Sequence, residues 1–198
     1  LARELARVAS SEGRRCDRAT WLHNAKECTK QDLQEDVYKY FNLVRPSPIR
    51  VEADEVTYNF HIVARYEIEK RLIGSEASVS EAPSMWDDMM AEYVGVRPTN
   101  PAEGVLQDVH WGGGLVGYFP TYSLGNVISG MLYDRMKPEM NFQEVVRSRE
   151  IERIKSWLKM HIHKWGSTYS PKELQQRIFN EAYNPEHLVR YLEEKYLK

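Results

Sequence analysis

From Ile49 to Ile73 the chain contains neither proline nor glycine, and the run is bracketed by Pro48 on one side and Gly74 on the other. It is several times longer than a typical strand and lacks two-residue alternation, so only a long helix accommodates it. Ser47 followed by Pro48 reads as an N-cap with proline at the first helical position, which predicts a helix over about 48–73.

The remaining punctuation predicts more helices. A polar stretch from Ser75 to Pro83 leads into a short helical segment near Trp86 to Tyr93, then the turn-rich Arg97-Pro98-Thr99-Asn100-Pro101. Gly112-Gly113-Gly114 is the most pliant point. Tyr118 to Met136 reads as a second long helix stopped by Pro138, with Gly125 and Gly130 either weakening it or permitting close packing. Asn141 with Glu144 resembles a capping box for a helix reaching Trp165, where Gly166 ends it. Ser170-Pro171-Lys172-Glu173 caps another, and Asn184-Pro185 starts the last, whose buried side takes Leu188, Tyr191 and Leu192. No repeat of fixed period occurs. The expected fold class is mainly α, long packed helices with little or no sheet. Residues 1–36 are expected to form a helix and loop whose packing the sequence does not place, and 37–198 a single helical portion.

Composition excludes several function classes. With 42% hydrophobic residues in 198 positions, the chain buries one sizeable core in one or at most two domains. A formal net charge of -2 provides no basic field for nucleic acid or an anionic membrane. Cys16 and Cys28 have no further Cys or His at zinc-finger spacing, which favours two reduced thiols in a cytosolic protein. No segment approaches the roughly 18 apolar residues of a membrane span. The opening Leu-Ala-Arg-Glu-Leu-Ala-Arg has no signal-peptide apolar stretch, and the absence of an initial methionine suggests either a fragment or preceding disordered residues left out of the sequence.

Two polar segments carry chemistry. At 100° per residue, Arg50, Asp54, Thr57, His61 and Arg65 share one face of the predicted helix. One reading is a solvated face with an Arg50/Asp54 pair worth only about 0.3–0.5 kcal/mol. Glu52, Glu55, Asn59 and Glu69 are more natural water-facing residues on another side, so the alternative is a helix polar all round that lines an internal cavity. The second segment runs from 104 to 122. His110, Tyr118 and Tyr122 are suitable hydrogen-bond donors to an oxyanion beside the glycine-rich hinge. The same residues also suit an aromatic core or interface.

Ile49-Arg50-Val51-Glu52-Ala53-Asp54 resembles the IRxxAD signature of the carboxypeptidase Taq family of HExxH metallopeptidases. Gly104-Val105-Leu106-Gln107-Asp108-Val109-His110-Trp111 resembles its GxxQDxHW signature, continued by Gly117-Tyr118-Phe119-Pro120-Thr121-Tyr122. The similarity covers about Val37 to Lys198. It departs at Phe60, where leucine is usual, at Pro48, where an apolar residue is common, and at Gly112-Gly113, which replaces a serine-containing stretch.

The resemblance implies the C-terminal portion of a helical, cytoplasmic, usually homodimeric zinc enzyme that releases C-terminal amino acids from peptides with broad specificity. Its zinc is held by the two histidines of HExxH and a glutamate of a HES-type motif, with the HExxH glutamate as general base. No HExxH passes through His23, His61, His110, His161, His163 or His187, and His161 and His163, two apart on a helix, point about 200° from each other. The resemblance therefore implies no metal ligand in this chain, inactivity when the chain is alone, and a partner in the missing N-terminal half. It assigns Arg50 to the substrate's free C-terminal carboxylate, and Gln107 and Asp108 to positioning substrate or loop. Asp54 becomes an acceptor that orients a zinc-binding histidine supplied by the missing half, and His110, Tyr118 and Tyr122 become oxyanion donors. The competing expectation is a non-catalytic helical interaction module, such as a degenerate paralogue.

Overall fold

In the computed structural model the described residues, 30–197, form helices joined by turns and loops, with no strand among them. The elements are α1 (Lys30–Phe41), a 3-10 turn (Arg50–Glu52), α2 (Tyr58–Ile73), a second 3-10 turn (Val79–Glu81) and α3 (Ala82–Met89). α3 runs on into a π-helical turn (Met90–Val94). After a long loop come α4 (Pro120–Met136), α5 (Phe142–Arg147), α6 (Ile151–His161), a 3-10 turn (His163–Trp165), α7 (Pro171–Phe179) and α8 (Glu186–Tyr196). Cys16, Cys28 and most of the segment 1–36 lie outside the described residues.

The helix expected over 48–73 is two elements. Ala53 is extended (φ -65°, ψ 143°). Asp54 then acts as the cap: its Oδ1 accepts the N–H groups of Val56 and Thr57, each at 2.9 Å, and its carbonyl accepts that of Tyr58 at 2.9 Å. An aspartate whose side chain satisfies two orphan donors outcompetes Ser47-Pro48 as the start signal. Downstream, the single helix expected from Asn141 to Trp165 is also split. Asn141 does cap α5 by accepting the Glu144 N–H, but Arg149 adopts a left-handed φ of 61° and α6 begins at Ile151. On one straight helix Val145 and Trp157 would point about 120° apart. The break lets both enter one cluster with Met136 and Met140.

Two compact units divide after Tyr122. In the first, Ala64 and Ile68 of α2 pack on Trp86, Met89, Met90 and Val94. Full burial of side chains such as Ile68 contributes roughly 1.5–3 kcal/mol each. In the second, Ser170 and Glu173 form the expected reciprocal capping box, and Asn184 accepts the Glu186 N–H at 3.1 Å to open α8. Leu192 is buried, with Leu188 and Tyr191 half-buried beside it. The His187 ring bridges Asp134 at 2.8 Å and Glu181 at 2.9 Å, tying α4 to α8.

Gly130 is where α4 and α8 come closest, since a Cβ there would lie 2.9 Å from the Leu188 nitrogen and 3.0 Å from its Cα. Backbone cannot yield as a side-chain tip does. Gly130→Ala is expected to destabilise the chain by about 1–3 kcal/mol, read as a lowered urea midpoint at unchanged slope.

Candidate active site

The face of α2 turned inward carries two interleaved tracks. Ala64 and Ile68 form the apolar one. His61, Arg65 and Glu69, spaced four apart, form the polar one, and their exposures are 0%, 0% and 8%. The expectation that Glu69 faces water is thus overturned, and so is the solvated-face reading of His61 and Arg65. The reason is tertiary: the loop 104–119 has no regular structure, is held by the Arg65 and Glu69 side chains and covers this face of α2.

Arg65 donates from Nε to Asp108 at 2.6 Å, from Nη2 to Gln107 Oε1 at 2.8 Å and from Nη1 to the His61 carbonyl at 2.9 Å. Arg50 approaches the same Asp108 from the 3-10 turn, Nη2 to Oδ1 at 2.6 Å, and donates from Nη1 to the Tyr58 hydroxyl at 3.1 Å. Gln107 spends its whole amide on the chain. Its oxygen accepts the Arg50 N–H and Arg65 Nη2, while its nitrogen donates to the carbonyls of Pro48 at 3.0 Å and Glu103 at 2.6 Å. Glu69 accepts from Trp111 Nε1 at 2.8 Å and from the Gly117 N–H. Gly117 has φ of 75°, where a Cβ would be strained.

These anchors gather the aromatic residues. His110 Nε2 lies 3.0 Å from the Tyr122 hydroxyl, its ring sits 4.5 Å from Phe119 and 5.6 Å from Tyr118, and its Nδ1 is 3.7 Å from Asp108. The Arg50 guanidinium lies 5.3 Å from the Tyr122 ring centroid, and Tyr118 keeps 41% exposure. Arg50, Gln107, Asp108, His110, Tyr118 and Tyr122 are therefore one contiguous cluster. Asp54 stands apart, because its oxygens already take four donors: Val56, Thr57 N–H, Thr57 Oγ1 at 2.8 Å and the Arg45 N–H at 2.9 Å.

The site residues that motif reading passed over are Tyr58, Arg65 and Glu69. The four-residue step from His61 to Arg65 continues to Glu69, and that spacing was the available signal.

Charge in the cluster does not cancel. Burial pulls Arg65 down to about 10, with Asp108 opposing it, so it stays cationic at neutral pH. Burial also works against the Arg50 charge, but its hydrogen bond and attraction to Asp108 outweigh this and hold it above the ordinary range. Asp108 is lowered, since the two guanidiniums overcome its own desolvation. Two guanidiniums on one carboxylate leave one surplus positive charge. Among the described residues no group of three or more His, Cys, Asp or Glu is arranged to hold a metal, so the metal of a metallopeptidase does not fit them.

A family model described as carboxypeptidase Taq (M32) metallopeptidase matches residues 17–196. The chain belongs to the M32 family. It is 48% identical over 164 residues to thermostable carboxypeptidase 1 of Pyrococcus furiosus and 40% identical over 163 residues to carboxypeptidase 1 of Bacillus subtilis. In each case 82% of this chain is covered against 33% and 32% of the relative, so the chain spans about a third of the length of these M32 carboxypeptidases. Its fold superposes on a solved apo-Mg Pyrococcus furiosus carboxypeptidase with a TM-score of 0.79 and 47% identity, covering 82% of this chain and 33% of that one. For Trypanosoma cruzi metallocarboxypeptidase 1 the values are 0.80 and 34%, covering 86% and 36%.

His61 governs the acid limit of this M32 site. Burial first, then Arg65 and Arg50, lower it from the usual 6.5 to about 4, and neither ring nitrogen has a hydrogen-bond partner among the described residues. Between those values the unfolded chain holds the proton that the folded chain refuses. The stabilisation is complete above about pH 6.5 and is lost as pH falls toward 4. Unfolding free energy is expected to drop by on the order of 3 kcal/mol across that window through this group. Urea titrations at pH 7 and pH 4.5 check it: His61→Leu should show a clearly smaller pH-dependent loss than the parent.

Proposed function

We propose that this chain forms the wall of a metallocarboxypeptidase site that takes a peptide's free C-terminus and stabilises the oxyanion formed as the terminal amino acid is released. The observation that carries the reading is the surplus positive charge on Arg50 and Arg65, beside a hydrogen-bonded His110 and Tyr122. A carboxylate is the anion an exopeptidase must recognise. Three of the five Arg50 N–H groups are used within the chain, and the two left over suit a terminal carboxylate.

Tyr118 donates to the oxyanion directly and His110 through Tyr122: His110 Nε2–H donates to the Tyr122 hydroxyl, whose own proton is then free for the oxyanion. Each such donor is worth about 3 kcal/mol of transition-state stabilisation. Burial, then the nearby Tyr118, raises Tyr122, which keeps its proton available. Gln107 and Asp108 position Arg50 and the loop. Asp54, proposed from the motif as an acceptor for a zinc-binding histidine, contributes by fixing the start of α2. In this reading zinc and the general base come from residues outside the described part, in an N-terminal half, within a cytoplasmic homodimer of broad specificity. The 198-residue chain alone is then inactive.

Metal analysis paired with an assay on N-blocked dipeptides and tripeptides tests this. Zinc uptake and residue release are expected only when the N-terminal half is present. Stoichiometric zinc and release by the isolated chain would refute the division of labour, and no release even with the N-terminal half would leave a non-catalytic helical module. In the complete enzyme Arg50→Lys, which keeps charge but loses the fork, should lower kcat/KM for free C-termini roughly 30- to 1000-fold and erode discrimination against C-terminal amides. Unchanged discrimination sinks the carboxylate assignment.

A further inference from the structure

We propose that Glu69 is a positioning residue for this site, one carboxylate that grips both ends of the loop bearing His110 and Tyr118. The inference rests on the carboxypeptidase reading for its kinetic consequence, but not for its geometry. One Glu69 oxygen accepts from Trp111, the residue after His110, and the other from Gly117, the residue before Tyr118. Between these two points the residues 112–116 are exposed. Trp111 is also wedged edge-on against Trp86 at 6.2 Å and Phe119 at 5.6 Å, so the grip reaches the core and the ring under His110.

Stability alone does not explain a carboxylate here. Glu69 is buried, its oxygens take neutral donors instead of a cation, and it lies in the C-terminal part of α2, where the helix dipole disfavours an anion. A glutamine would avoid the charge. What only a carboxylate offers is an acceptor oxygen for each of two donors, one indole and one backbone N–H. Without both, the glycine-rich segment 112–117 is free to rotate the two flanking donors relative to each other.

The test uses Glu69→Gln, which keeps shape but offers one acceptor oxygen, and Trp111→Phe, which removes one donor and leaves the carboxylate. In the complete enzyme, each variant should lower kcat roughly 10- to 100-fold with KM for a blocked dipeptide nearly unchanged, because misplaced oxyanion donors cost the transition state and not substrate binding. A merely structural role predicts loss of folded protein with normal kcat per folded molecule, and that result overturns the proposal. So does a raised KM at unchanged kcat. Hydrogen exchange at the Gly117 amide provides an arm independent of activity: it should quicken in Glu69→Gln, and unchanged exchange overturns the grip itself. Absence of any peptide release by the parent enzyme would sink the carboxypeptidase reading while this exchange arm still decides the grip. Should Glu69→Gln fail to fold, Trp111→Phe carries the kinetic measurement and Glu69→Asp, whose shorter arm withdraws the acceptor from Gly117, carries the exchange measurement.

Discussion

Asp108 shared between Arg50 and Arg65 is the interaction on which the rest of this site depends. The loop 104–119 has no ladder of backbone hydrogen bonds and contains four glycines among residues 112–117, so ordering it costs more conformational entropy than ordering an ordinary segment. Side chains must do what secondary structure does elsewhere. A buried ion cluster is weak evidence for net stability, because desolvation consumes much of the Coulombic gain. Its value is geometric. Asp108 is 9% exposed at the side chain and is met by Arg65 at 2.6 Å, so the loop has one position in which neither charge is stranded.

The same helix serves core and site. Ile68 and Ala64 alternate with Arg65 and Glu69 around the inward face of α2, and the Arg65 guanidinium lies 4.3 Å from the Trp86 ring centroid. That contact lets a cation sit against the apolar cluster without leaving its polar partners. Loop position is consequently set by the packing of α2 on α3, not by the loop's own sequence. Asp54 fits the same scheme: by capping α2 and binding the Arg45 N–H it fixes the helix start, and with it the register of the whole polar track.

Local signals were legible and long-range ones were not. The Ser170/Glu173 box and the Asn184 start act within three residues, and each forms as its sequence reads, while of the Asn141/Glu144 box only the Asn141 half forms. The break at Arg149 was hidden because no glycine or proline marks it; it follows from the need to bring Val145 and Trp157 to one cluster. Glu69 was misread for a related reason. Its inward side is defined by Trp111 and Gly117, more than forty positions away, and periodicity weighs a buried carboxylate as solvent-facing. The motif residues were found by resemblance, but the resemblance did not reveal that Arg50 and Asp108 bind each other.

That pairing gives His61 its significance. The ring lies inside the electrostatic reach of Arg50, Arg65, Asp54 and Asp108, and burial with the two guanidiniums keeps it neutral above about pH 4. A protonated imidazole here would add a second surplus charge to a cluster that already has one too many. The added repulsion would fall first on Arg65, fully buried and already lowered to about 10, and through it on the Asp108 contact that seats the loop. A neutral ring costs less than a charged one at this depth, even with both nitrogens unpartnered among the described residues. The single surplus positive charge of the cluster is therefore set by what the helix face keeps uncharged as much as by the guanidiniums themselves.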